Sequence, residues 1–186
     1  MVSYGALLAV VALERLFELL LSRRNAAAAF ARGGVETGAA HFRVMTLMHA
    51  AFLPCCFLEA WLLRRPFPGA LGWAALGLAL AAQALRWWAV GSLGSRWNVR
   101  IIVVPGDTPV RSGPYRWVKH PNYVAVALEM VGIPLIHGAW LSALLFSALN
   151  ALVLRTRIAE EERALGSAYA AAFQGVPRFV PGAPHG

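Results

Sequence analysis

The sequence predicts an all-α fold, namely a polytopic membrane helix bundle of about five transmembrane helices, and three observations support this class. Of its 186 residues, 59% are hydrophobic and 14% are charged, with a mean hydropathy of +0.57. Several apolar runs approach the ~20 residues that a helix needs to cross a bilayer. Basic residues flank these runs rather than forming a solvated stripe. This composition excludes a soluble domain with an ordinary polar surface.

Five apolar runs give the predicted helices in chain order. Three have near-spanning length and two are shorter: 2–21, 44–63, 67–90, 121–136 and 139–154. We expect the last two, joined at His137 and Gly138, to form a C-terminal helical hairpin. Pro121 suits a first helical turn, where its missing N–H costs nothing, and Pro134 should kink or end its helix. The chain should form one domain over 1–186, with an N-terminal three-helix part over 1–91 and a second part over 92–186.

The arginines orient the predicted bundle. With the N-terminus outside, nearly all loop cations are cytoplasmic, and only Arg64 and Arg65 remain outside, which is a strong positive-inside bias. Because the +8 net charge is explained by this topology, we expect no nucleic-acid partner. A single lysine, Lys119, among many arginines is typical of a GC-rich genome, so we expect a bacterial inner (plasma) membrane.

Charged residues within the predicted spans need separate interpretations. Glu14 and Glu18 lie four apart on one helix face, which favours helix packing or an interfacial position. Arg86 precedes two tryptophans, and we interpret it as a side chain that snorkels to the interface. Glu129 lies mid-helix and is either a buried polar partner or a site residue. Cysteines occur only as the adjacent pair Cys55 and Cys56, so no metal site is expected.

Two polar clusters interrupt the C-terminal apolar runs. The first is segment 113–123, GPYRWVKHPNY. Its aromatic faces suit a purine or a cationic sulfonium, and the free N–H groups of a helix start suit a carboxylate. The second contains Arg157 and Glu161, which offer a forked cation for an anionic oxygen and a carboxylate for an ammonium or ribose hydroxyls. Taken alone, that pair could also be an intrahelical ion pair.

Residues from about 97 to 181 resemble the isoprenylcysteine carboxyl methyltransferase family, membrane-embedded enzymes that use S-adenosylmethionine. The family pattern is Gly-x-Tyr, then His-Pro-x-Tyr, a hydrophobic hairpin, and an Arg followed by a Glu-Glu pair and Leu. The corresponding residues here are Gly113-Pro114-Tyr115, His120-Pro121-Asn122-Tyr123, Arg157, Glu161-Glu162 and Leu165. The combined pattern is quite specific and covers nearly half of the chain.

The resemblance implies that 92–186 is the catalytic part, with a cofactor pocket at the cytoplasmic end of the bundle. S-adenosyl-L-methionine would be bound by Val110, Tyr115, His120, Pro121, Asn122, Tyr123 and Glu161. Arg157 would be the catalytic residue that binds the substrate oxygen. The chain departs from the pattern twice: Asp107 begins the strip where the protein carboxyl methyltransferases have histidine, and Leu165 directly precedes Gly166 with almost no spacer.

The implied reaction is an in-line methyl transfer from a sulfonium to an oxygen of a lipophilic acceptor. A carboxylate is already ionised at neutral pH and needs no base. A phenolic or enolic hydroxyl would need ionisation, which Arg157 could promote, with His120 as a conceivable base. The implied acceptors are an isoprenylcysteine-carboxylate-like acid or, by similarity to members paired with type III polyketide synthases, an alkylpyrone or alkylresorcinol hydroxyl.

Two other classes remain open from the sequence. Sterol-type reductases share the C-terminal membrane scaffold but use NADPH, and they would need a basic pocket for its 2′-phosphate. A non-enzymatic membrane scaffold should tolerate alanine at His120 and Glu161. No oligomeric state is predicted.

Overall fold

The computed structural model describes residues 1–181, with the backbone alone at positions 40 and 41. These residues form five α-helices and one two-stranded antiparallel ribbon. The helices are α1 (Val2–Ala31), α2 (Ala39–Leu62), α3 (Ala70–Leu93), α4 (Pro121–Leu135) and α5 (Trp140–Ala172). The strands are β1 (Val35–Thr37) and β2 (Ile101–Val103). The helical class is confirmed, whereas the all-α prediction omitted the ribbon.

The ribbon and the length of α1 differ from the prediction for local reasons. Each strand has three residues, which is too short for a period-two pattern to be visible. Helix α1 continues ten residues beyond the predicted end at 21, because an alanine-rich stretch keeps high helix propensity after the apolar run stops. Ala26 and Ala29 of this extension are buried, so it packs within the protein.

The outward faces of the bundle are apolar. Large side chains such as Leu13 on α1, Leu47 on α2 and Leu144 on α5 are 65–71% exposed. In water such a surface would be an aggregation hazard, whereas hydrocarbon solvates it. Within residues 1–181, two helices combine the length and hydropathy of a membrane span, α2 over Phe42–Leu62 and α5. These features indicate a membrane protein, and the count of five spans stays a prediction.

The C-terminal helical hairpin forms as predicted. Pro121 is the first residue of α4, and Pro134 lies one residue before its end. A short turn through His137 and Gly138 then leads into α5. Glu59 of α2 caps α5, because its carboxylate accepts hydrogen bonds from the backbone N–H groups of Leu141 (3.1 Å) and Ser142 (2.6 Å). A carboxylate at a helix N-terminus also interacts favourably with the helix dipole.

Helices α3 and α4 approach closely along a line of small residues. Ala75, Ala79 and Ala82 of α3 are buried, and Gly132 of α4 faces them. A Cβ placed on Gly132 would lie 3.1 Å from the backbone nitrogen of Ala79 and 3.2 Å from the carbonyl oxygen of Ala75. Close backbone approach of this kind is a main source of helix association in membranes.

Replacing Gly132 by valine should therefore separate α3 from α4 and lower the unfolding free energy by about 1–3 kcal/mol, the usual cost of overpacking. Gly77 is the matched control, because it lies in α3, a Cβ added there would meet no atom within 4 Å, and the change in helix propensity from glycine to valine is the same at both positions. Thermal unfolding in detergent compares the two variants. Equal losses at both positions would contradict the close-packing account.

Buried charges join three of the helices. Arg86 of α3 is 7% exposed and donates to both carboxylate oxygens of Glu18 on α1. Its Nη1 lies 3.5 Å from Glu129 Oε2 on α4. The interpretation of Arg86 as a snorkelling side chain is wrong, because these carboxylates hold its guanidinium inside the bundle. Glu18 contributes to helix packing as predicted, and Glu129 is a buried polar partner of Arg86.

Candidate functional site

The start of α4 and the charged part of α5 bring the two polar clusters together. The Tyr123 hydroxyl donates to Glu161 Oε2, although the residues lie 38 positions apart. Arg157 Nε donates to the same hydroxyl at 3.1 Å. The phenol thus lies between the cation and the carboxylate. Within residues 1–181, Arg157 and Glu161 form no direct ion pair, so the intrahelical pair considered from the sequence is not what the structure contains.

The guanidinium of Arg157 is held at two of its three nitrogens. Nε donates to Tyr123, and Nη2 donates to the carbonyl oxygen of Val99 at 2.7 Å. Arg157 is 4% exposed. Among the residues that the structure describes, none accepts a hydrogen bond from Nη1. The side chain is therefore fixed in direction while one N–H₂ group stays available to a ligand oxygen.

His120 lies at the N-cap of α4 and is fixed from two sides. Its ring stacks on Tyr123 with centroids 5.3 Å apart, and its Nε2 lies 3.0 Å from Glu162 Oε1. A carboxylate that accepts from Arg178 cannot donate, so His120 Nε2 carries the proton in this bond. With Nε2 as the donor, Nδ1 is the nitrogen that can act as an acceptor.

The C-terminal segment closes over this histidine. The backbone N–H groups of Lys119 and His120 donate to the carbonyls of Pro177 (2.9 Å) and Arg178 (3.1 Å). Arg178 also donates to both oxygens of Glu162. The hydrogen bond to Glu162 raises the pKa of the Arg178 guanidinium. Glu162 thus joins His120 to the segment after α5.

The N-terminus of α4 has fewer free N–H groups than expected. Those of Tyr123 and Val124 donate to the carbonyl of His120, and Pro121 has none. In the stretch 119–124 of the described chain, only the Asn122 N–H lacks a backbone acceptor. The Asn122 Oδ1 atom is buried, and the described residues give it no hydrogen-bond donor. The expectation of an open helix start for a carboxylate is therefore met at one amide only.

An aromatic wall borders the cluster. Tyr115 lies in the 3-10 turn Gly113–Arg116 and packs in one buried cluster with Tyr169 and Phe173. Burial, with a smaller contribution from the Glu161 carboxylate, raises the pKa of the Tyr115 hydroxyl, which stays a neutral donor. Gly166 has φ +69° and breaks α5, so the last helical turns bring Tyr169 within 6.5 Å of the His120 ring. The short spacer after Leu165 therefore makes a bend.

Two predicted features lie outside the hydrogen-bonded group. Val110 is half-buried in the irregular segment between β2 and the Gly113–Arg116 turn. Asp107 is directed to the end of α1, where its carboxylate lies 3.2 Å from Arg32 and 3.8 Å from Arg96. The aspartate thus ties this strip to α1.

Sequence reasoning missed three participants. The Val99 carbonyl has no sequence signal, because any residue supplies the same group. The Arg178 contact had only a weak signal, an arginine after Pro177 near the C-terminus. The hydrogen bond from His120 to Glu162 could have been suspected from the Glu-Glu pair, because a second carboxylate adjacent to Glu161 lies on the same helix.

Two surface grooves lie away from this cluster. One runs between α2 and α5 beside Glu59, and the other runs between α1 and α3 beside Arg24 and Gly91. Neither is lined by a predicted site residue. The chemistry of the side chains, rather than the size of a groove, therefore identifies Arg157, Tyr123 and Glu161 as the candidate site.

Relatives share nearly the whole length of the chain. The uncharacterized protein YpbQ of Bacillus subtilis strain 168 is 39% identical over 163 residues, which cover 87% of this chain and 96% of that protein. An uncharacterized protein of Haemophilus influenzae strain Rd is 27% identical over 165 residues, 88% of this chain and 93% of that protein.

Residues 75–167 match the isoprenylcysteine carboxyl methyltransferase (ICMT) family. This stretch runs from α3 to the bend at Gly166 and contains every member of the Arg157–Tyr123–Glu161 contact. The match thus covers half of the chain and includes the site residues that the hairpin of α4 and α5 brings together. The chain belongs to the isoprenylcysteine carboxyl methyltransferase family.

Proposed function

We propose that the chain is an integral-membrane, S-adenosylmethionine-dependent O-methyltransferase that acts on a lipophilic acceptor. Its site would face the cytoplasm of a bacterial inner membrane, on the side where the arginines accumulate. Family membership supports a membrane methyltransferase in general terms. The finer proposal rests on the Arg157–Tyr123–Glu161 group. In this group the Tyr123 hydroxyl is hydrogen-bonded both to the Glu161 carboxylate and to the Arg157 guanidinium, which keeps one nitrogen free.

The residues present fit the polar end of S-adenosylmethionine. The buried Asn122 Oδ1 needs a donor, and an amino-acid ammonium group supplies N–H donors. Glu161 is half-buried, and its carboxylate would accept hydrogen bonds from an ammonium or a pair of ribose hydroxyls. Tyr115 and the rings beside it offer apolar faces to the rest of the cofactor. These residues would hold the cofactor beside Arg157.

When bound, the cofactor supplies a methyl group on a sulfonium. Arg157 would bind the acceptor oxygen through Nη1, the nitrogen that its own fold contacts leave free. Binding at a fixed position aligns the oxygen for in-line attack, and the buried surroundings exclude competing water. For a carboxylate acceptor this is sufficient, since the oxygen is already ionised.

A hydroxyl acceptor would need to lose a proton. His120 has the required group, because Nε2 carries its proton toward Glu162 and Nδ1 is left as an acceptor. Arg157 would stabilise the oxyanion that forms. We therefore propose both acceptor types as candidates, an isoprenylcysteine-carboxylate-like acid and an alkylpyrone or alkylresorcinol hydroxyl.

Cofactor binding gives the first test. Calorimetry should detect S-adenosylhomocysteine binding to the purified protein, and Glu161→Ala should weaken it by about ten- to a hundredfold, the loss of one hydrogen bond to a charged group. Glu160→Ala is the matched control, because that carboxylate is adjacent in sequence and lies against Gly38 instead. Binding of NADPH without S-adenosylhomocysteine would show a reductase-like protein and overturn the proposal.

Lipid analysis identifies the acceptor. Extracts of cells with and without the gene should differ in a lipid that gains the mass of one CH₂ group. Whether the gained methyl is an ester or an aryl or enol ether distinguishes the two candidate classes.

A further inference from the structure

Helix α1 holds the loop that follows α3 through a set of hydrogen bonds from its buried Ser22 and Asn25. The Ser22 hydroxyl donates to Asn98 Oδ1 at 2.8 Å and accepts from the Val99 N–H at 3.1 Å. Asn98 Nδ2 returns a hydrogen bond to the Ser22 carbonyl at 3.1 Å. Asn25, one turn further along α1, donates to the carbonyl of Trp97 at 2.7 Å. We name Ser22, Asn25 and Asn98 the α1 clamp.

The two α1 residues of the clamp are buried, and Asn98 is half-buried. Ser22 is 2% exposed and Asn25 6% exposed, so water cannot easily replace their hydrogen bonds. Trp97, whose carbonyl accepts from Asn25, is 3% exposed. Ser22 uses its hydroxyl as donor and acceptor at once, which leaves the 98–99 backbone one arrangement that satisfies both bonds.

The far side of the clamped backbone meets the candidate site. Val99 receives the Ser22 contact at its N–H, and its carbonyl accepts from Arg157 Nη2 at 2.7 Å. A shift of this carbonyl would tilt the plane of the Arg157 guanidinium, because the guanidinium has one other hydrogen bond to hold it, from Nε to the Tyr123 hydroxyl. The direction of the free Nη1 thus depends on where α1 holds residue 99.

We propose that Ser22 is a positioning residue for methyl transfer, which acts by fixing the Val99 carbonyl and through it the acceptor-binding face of Arg157. This inference rests on the proposed function. Ser22 lies outside the 75–167 stretch that matches the family, so the N-terminal helix contributes to the site from beyond that stretch. A misdirected catalytic group can lose much of its rate advantage without any loss of cofactor binding.

The test measures transfer of labelled methyl from S-adenosylmethionine to two probes, a long-chain alkylresorcinol and an S-farnesyl thioether carboxylic acid. With the probe that the wild type methylates, Ser22→Ala should lower kcat about tenfold while the Kd for S-adenosylhomocysteine stays within about twofold. Ser22→Thr keeps the hydroxyl and should retain most of the rate. Thr46→Val is the matched control, because Thr46 is exposed and bonds only within α2.

A double-mutant cycle with Arg157→Ala separates this inference from the proposed function. If Ser22 acts through Arg157, Ser22→Ala should have no further effect on the rate of the Arg157→Ala enzyme. Independent, multiplying effects would overturn the positioning role while leaving Arg157 catalytic. An Arg157→Ala enzyme of full activity would overturn both. Asn98→Ala, which removes the other side of the clamp, should reproduce the Ser22→Ala result if the latter variant is poorly folded.

Discussion

Replacing Arg157 by alanine should slow methyl transfer by about 100-fold or more while leaving the affinity for S-adenosylhomocysteine unchanged. The reason is the division of contacts around Tyr123. Its hydroxyl donates to Glu161 whether or not Arg157 is present, so the proposed cofactor side of the site keeps its hydrogen bond. In the proposed site the guanidinium is the donor to the acceptor oxygen, and losing one such donor typically costs about that factor in kcat.

Lysine at position 157 should restore little of the rate. A single ammonium cannot donate to Tyr123, to the Val99 carbonyl and to an acceptor oxygen in the directions that a planar guanidinium provides. Arg155→Ala is the control, since Arg155 lies on the same helix but is exposed. The measurement is single-turnover methyl transfer beside calorimetry of S-adenosylhomocysteine. Similar mild losses from Arg157→Ala and Arg155→Ala would contradict a catalytic role for Arg157.

The helical architecture was predictable because each helix corresponds to an apolar run bounded by glycine, proline or charge. The helix start at Pro121 and the hairpin turn at Gly138 are encoded by single residues with strong local preferences. The motif resemblance also suggested that Tyr123 and Glu161 share one cofactor pocket, and the structure joins them by a direct hydrogen bond. Local preference and motif together thus indicated the hairpin and the centre of the site.

The parts that were not predicted depend on tertiary contacts. The sequence around Arg86 does not distinguish a snorkelling arginine from one that binds Glu18 of another helix. In both cases the sequence shows one charged residue within an apolar run. The contacts of Ser22 and Val99 involve a common hydroxyl and a backbone group, which carry no pattern. Such residues become visible only when the chain is folded.

The buried charges between α1, α3 and α4 make the stability of the bundle sensitive to the loss of any one partner. Arg86 bonds both oxygens of Glu18, and Arg15 donates to Glu18 (2.9 Å), Gln83 (2.7 Å) and Glu129 (3.2 Å). In hydrocarbon an unpaired carboxylate finds neither water nor counterion, so each partner depends on the others. Three helices are thereby held in one relative arrangement.

Arg86→Leu should lower the unfolding free energy by about 3–5 kcal/mol, since it leaves Glu18 buried without its main cation. Little folded protein should then be recovered from membranes. The measurements are the yield of monodisperse protein after extraction into detergent and its thermal unfolding. Adding Glu18→Leu should recover most of the loss, because it removes the carboxylate that lost its main cation, while Arg15 stays in place to pair with Glu129 at 3.2 Å. Arg23→Leu, an exposed arginine of α1, is the control and should change stability little. A double variant as unstable as Arg86→Leu alone would show that the guanidinium is needed for packing rather than for its pairing with Glu18.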